Sequence, residues 1–130
     1  MTTLPRALAL TLPAIFFWAC GPSLQAPSRD RTVITTEEVR SAGVNNAFQL
    51  VERLRPLWLR SRGDRSTHLP TEIVVYQDGV MLGDIETLRN IPIELVVSVR
   101  ALDAADAMRL PGLGSRHVER AILVETRPGG

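Results

Sequence analysis

The apolar segment from Ala7 to Trp18, broken only by Thr11 and Pro13, follows a lone positive charge at Arg6 and runs directly into Ala19 and Cys20. Its length matches the apolar region of a secretory signal and falls short of the ~20 residues that span a bilayer as a helix. Cys20 is the only cysteine, which excludes an intramolecular disulfide and a thiolate metal cluster. The part left to fold is therefore one small domain without covalent staples. A chain of 130 residues allows no second domain, but at this size roughly two thirds of the unfolded surface is buried, enough for a real core.

The triplet Phe17-Trp18-Ala19 before Cys20 resembles the bacterial lipobox, in which a small residue precedes a cysteine that becomes N-terminal and diacylated. The resemblance implies that Cys20 is the lipidation site and that the partner of this end of the chain is a membrane, since two acyl chains give stable attachment. Residues 1–19 then form a lipoprotein-type signal peptide. Residues 20–31 are the lipidated cysteine and a flexible tether, rich in proline, serine and charge from Gly21 to Arg31 and able to reach ~35 Å when extended. Residues 32–127 are the folded domain, followed by a Pro-Gly-Gly tail.

All 15 basic residues are arginine, and losing Arg6 with the signal leaves 14 arginines against 14 acids. A neutral domain of this kind is not built around nucleic acid.

Within the folded part, Thr32-Val33-Ile34 is a short β-prone run, and Thr35 with Glu38 has the spacing of a capping box for a short helix closed at Gly43. Asn45 or Asn46 can cap a second helix, on which Ala47, Leu50, Val51 and Leu54 form one apolar stripe before Pro56 stops it. Ile73 to Tyr76 and Val80 to Leu82 read as strands joined by a turn at Gln77-Asp78-Gly79, with Asp78 and Gly79 as turn formers. Asp84 can cap a short helix through Asn90. Leu95 to Val99 is an almost unbroken β-branched run, which predicts a strand covered on both faces. A small-residue stretch from Ala104 to Leu110 and a glycine-rich turn lead to a last strand at Ala121 to Val124. The expectation is a small α+β domain with about four or five strands and three short helices.

Val33 to Val39 followed by Ala42-Gly43, a helix ending in Leu54-Arg55-Pro56, and Ile73 to Val80 with its Tyr76-Gln77-Asp78-Gly79 hairpin together resemble the plug domain of TonB-dependent outer-membrane receptors. The likeness continues through Ile91-Pro92-Ile93-Glu94 and Gly112 to Ser115 to the closing run from Ile122 to Arg127. Two positions depart from that family's pattern. Arg100 is followed by Ala101-Leu102-Asp103 in place of a Gly-Pro turn, and Glu119-Arg120 replace a double glycine. A receptor barrel of about 22 strands needs over roughly 200 residues, more than this chain holds after the plug-like part. The resemblance thus implies a plug-like, barrel-less lipoprotein at the outer membrane, facing the periplasm or the surface. It implies a non-enzymatic binding or assembly module with an outer-membrane protein as partner, or else an accessory ligand-binding subunit of a nutrient-uptake receptor. It implies no cofactor.

The residues offer little competing chemistry. His68 and His117 have no ligand or nucleophile partner at motif spacing. A nucleophile elbow at Ser115 would need glycines where Leu113 and His117 stand, and the same His117 breaks a dinucleotide-type glycine pattern begun by Gly112 and Gly114. No catalytic or metal-ligating residue is expected. The remaining feature is a run of arginines at Arg53, Arg55, Arg60, Arg62 and Arg65 around Trp58. Guanidinium pairs with phosphate bidentately and stacks on indole, so Trp58, Arg60, Arg62 and Arg65 are the candidate contact with an anionic surface; the alternative is a solvated helix end and loop, partly neutralised by Glu52 and Asp64, with Trp58 folded onto the core.

Overall fold

The computed structural model describes residues 30–61 and 71–128. In chain order its elements are β1 (Val33–Ile34), α1 (Thr36–Ser41), α2 (Ala47–Leu54), β2 (Glu72–Gln77), β3 (Val80–Gly83), β4 (Val96–Asp103), α3 (Ala104–Ala107) and β5 (Val118–Thr126). Short 3-10 helices occupy Pro56–Leu59, Ile85–Asn90 and Ile93–Leu95. The strands form one mixed sheet in the order β1-β4-β5-β2-β3, in which β2 and β5 run parallel and every other pair is antiparallel. The domain is α+β, as its pattern of apolar runs predicts.

Local chemistry explains where the helices begin. The Thr35 hydroxyl accepts the Glu38 N–H at 3.4 Å while the Glu38 carboxylate accepts the Thr35 N–H at 3.0 Å, closing a reciprocal capping box. Asn46, rather than Asn45, caps α2, its side chain accepting the Gln49 N–H at 2.9 Å. Helix α2 stops at Leu54 because Pro56 has no N–H to donate, and that proline instead opens the first 3-10 turn.

The sheet is buried on two sides by different material. Ile73, Val75, Val99, Ala101, Ile122 and Val124 pack with Val39 of α1 and with Ala47, Phe48, Leu50 and Val51 of α2. Val74, Tyr76, Val118 and Ala121 turn to the opposite face and meet Ala107 of α3 and Leu113 of the loop beyond it. Successive side chains of a strand alternate in direction, so β2 and β5, lying inside the sheet, supply both cores. The expected strand with two covered faces is consequently β2, whose Ile73 to Tyr76 are all buried, and not the run at Leu95 to Val99. In β4, Val97 and Ser98 remain half-buried, because a bulge between Val96 and Ser98 shifts the phase and only the two-residue β1 lies outside. Two strands also outrun their β-prone cores. Strand β4 continues through Asp103 because β5 holds it in register from Ser98↔Glu125 to Asp103↔Arg120, and β5 starts at Val118 because Val118 pairs with Glu72 of β2.

Candidate functional site

Of the described members of the arginine and tryptophan cluster, Trp58, Arg53 and Arg55 make their contacts within the domain. Trp58 is only 7% exposed and belongs to the core beneath α2, so it is not available to an anionic surface. Three apolar residues crowd the 3-10 turn Pro56–Leu59, and burying the indole removes the largest of them from water. Arg55 lies 6.0 Å above the indole ring and is spent internally: its guanidinium donates to the carbonyls of Leu54 and Val33 and pairs with Glu38 at 3.2 Å. Arg53 donates to the Ala42 carbonyl at 2.8 Å. Arg60 is exposed at the end of the turn. Arg62, Arg65 and His68, like Cys20, lie outside the described residues. His117 is exposed, and its carbonyl accepts the Glu72 N–H at 3.0 Å.

Asp78 and Gly79 do form the hairpin turn. Both have positive φ, 50° and 83°, which makes the two-residue connection the I′ kind whose twist suits a hairpin. Asp78 does more than the sequence revealed. Its carboxylate accepts the Thr126 N–H at 2.8 Å and also the Thr126 hydroxyl, while its own N–H donates to the Val124 carbonyl at 3.0 Å. The turn is thereby clamped to the end of β5. The Thr126 backbone N–H, then its hydroxyl, hold the Asp78 carboxyl below its ordinary value.

A groove of about 500 Å³ opens where β3 leaves β2 at Gly83; Ile73, Val74, Asp84 and Ile85 line it, with Glu72 and Arg116 at its rim, 3.9 Å apart. Gly83 has φ of 143° and a side chain there would press on Thr87, so the chain swings out at this residue into the turn at Ile85–Asn90. Beside the groove, β3 is the last strand of the sheet and carries two of the exposed large apolar side chains, Val80 at 64% and Leu82 at 41%. Among the described residues no group of three or more potential metal ligands occurs, and no helix is long and apolar enough to cross a membrane. The β3 edge could not be recognised beforehand: Val80-Met81-Leu82 announces a strand, but an outermost strand and an inner one look alike over three residues.

Comparison with protein-family models, with curated proteins and with solved structures finds no match to this chain.

Proposed function

We propose that the chain is a membrane-anchored, non-enzymatic binding or assembly module at the outer membrane, built on a plug-like domain. The observation that carries this reading is the order of parts along the chain: an apolar signal-length segment, Ala19-Cys20, a tether to Arg31, and then a folded domain whose first strand starts at Val33. A lipid at Cys20 would hold such a domain at the membrane while leaving its surface available to a partner. Support for the plug-like reading comes from the resemblance of the Tyr76-Gln77-Asp78-Gly79 hairpin and of the closing run Ile122 to Arg127, which lie two strands apart in order along the chain yet are clamped together through Asp78 and Thr126. The non-enzymatic reading rests on the lack of acid/base or nucleophile spacing in the sequence.

Cell fractionation of a Cys20→Ser variant tests the anchor. The expected result is release from the membrane fraction into the soluble one. Retention at native levels, extractable only by detergent, would remove lipidation from the account.

A second reading, an accessory ligand-binding subunit of a nutrient-uptake receptor, draws on the groove beside Gly83, whose volume of about 500 Å³ suits a small molecule. A neighbouring gene for a barrel without a plug of its own would favour it.

A further inference from the structure

The two outer edges of the sheet are finished differently, and the difference identifies a docking edge. On β1 the backbone groups that face away from β4 belong to Val33, because on one side of it the Thr32 carbonyl accepts the Ala101 N–H at 2.8 Å and Ile34 on the other pairs with Val99. Both Val33 groups are satisfied within the chain: its N–H donates to the Asp30 carbonyl at 3.2 Å and its C=O accepts from Arg55 at 3.2 Å. Strand β3 has no such finish. The two-residue turn makes Gln77 and Val80 the hydrogen-bonded closing pair, so the N–H and C=O of the next residue, Met81, point away from β2. Among the described residues nothing meets them. Val80 and Leu82 flank this open position, and β3 carries no charge or proline of the kind that protects natural edges.

We propose that β3 takes up an extended segment of a partner protein by strand addition, pairing at Met81, and that this segment is apolar in its middle and basic at its ends. The chemistry at the two ends of β3 selects the partner. Asp78 closes the strand at the turn and Asp84 follows it at the other end, both exposed, with an apolar stretch between. The same charges select against a second copy of this chain. A twofold pair of edges runs antiparallel, and centring it on Met81 sets Asp78 of each copy opposite Asp84 of the other, which places like charges across both ends of the ladder. A partner with Lys or Arg at those positions gains where a second copy loses. The proposal rests on the binding-module reading and names its surface. It does not depend on the lipid at Cys20.

The test uses the full chain in detergent micelles and measures hydrogen exchange of the Met81 amide by NMR. The probe is a synthetic heptapeptide, acetyl-Lys-Thr-Val-Thr-Val-Thr-Lys-amide, whose lysines stand six positions apart as Asp78 and Asp84 do. Saturating probe is expected to slow exchange at Met81 by at least about fivefold, because a new strand occupies the N–H. The same peptide N-methylated at alternate residues, or with Glu in place of both Lys, is expected to give no protection. Equal effects of all three peptides, or protection confined to residues away from β3, would overturn the proposal. So would protection of Met81 without any peptide in a chain that sediments as a dimer, since the occupant would then be a second copy. Fractionation of Cys20→Ser reads the anchor separately, so a failed anchor and a failed docking edge give different results.

Discussion

The β1 edge and the β3 edge of one sheet show two ways of ending a row of hydrogen-bonding groups. At β1 the chain folds its own parts over the edge. The Asp30 carbonyl takes one group and the Arg55 guanidinium takes the other, while the Asp30 side chain ties down Thr32 through its N–H at 2.9 Å and its hydroxyl at 2.6 Å. At β3 the chain leaves the groups of Met81 to whatever lies outside and surrounds them with Val80 and Leu82. A closed edge contributes to stability, whereas an open one contributes to binding, so mutations at the two edges should separate these quantities.

The largest effect is expected at the closed edge. Arg55→Ala removes the cap from Val33, the pair with Glu38 and the cation over Trp58 at once. With both charged side chains mostly buried, the loss should be about 2 kcal/mol in denaturant unfolding. Arg55→Lys should recover only part of it, because an ammonium cannot serve Val33, Leu54 and Glu38 from one planar fork. A loss under ~0.5 kcal/mol for Arg55→Ala would mean that β1 is held by its ladder alone.

An intermediate effect is expected at Asp78, which belongs to the hairpin of the open edge but bonds inward to β5. Asp78→Asn keeps the turn geometry and one acceptor but loses the charge that Thr126 serves, and on an exposed group this should cost under about 1 kcal/mol at neutral pH. The sign of the pH dependence follows from the direction of the shift. The folded carboxyl titrates below its unfolded value near 3.9, so its contribution is present above that pH and is lost as the pH falls through the lower, folded value. Unfolding free energies of the two proteins should therefore converge in acid; a difference that persists unchanged below that window would assign the effect to turn geometry instead.

The smallest effect on stability belongs to Leu82→Lys. Leu82 is 41% exposed on the open edge, so urea unfolding should stay within about 0.5 kcal/mol of the parent. Protection of Met81 by the basic-ended peptide should disappear in the same variant, since the new charge repels that probe and guards the edge. Unchanged protection would break the contrast between the edges.

The closed edge was partly legible in the sequence and the open one was not. Thr35, Glu38, Asn46 and Pro56 act through neighbours a few positions away, so their spacing gave the helix boundaries directly. The Asp78-Gly79 turn was legible for the same reason. For Arg55 and Trp58 the string allowed both a charged surface and an indole folded onto the core, because charge and aromaticity are visible in it while burial is not. Their actual roles depend on Val33, which approaches Arg55 only after the sheet forms. The clamp of Asp78 on Thr126 and the open backbone groups of Met81 likewise depend on strand order, which three-residue apolar runs do not encode.

The parallel contact between β2 and β5 has a kinetic consequence. Strand β5 joins β4 on one side to β2 on the other, so the middle of the sheet is missing until the last strand has arrived. Without it the earlier elements have mostly local contacts to draw on, a capped helix, the α2 stripe and a short hairpin, beside the two-residue ladder of β1 on β4 and the packing of α2 on the turn at Ile85–Asn90. Pairings between distant segments of a chain form late and slowly. A polypeptide threaded across a membrane from its N-terminus would therefore stay unfolded, and translocatable, until its final residues emerged, and deletion of Val118–Thr126 would remove the event that commits the chain to its native state.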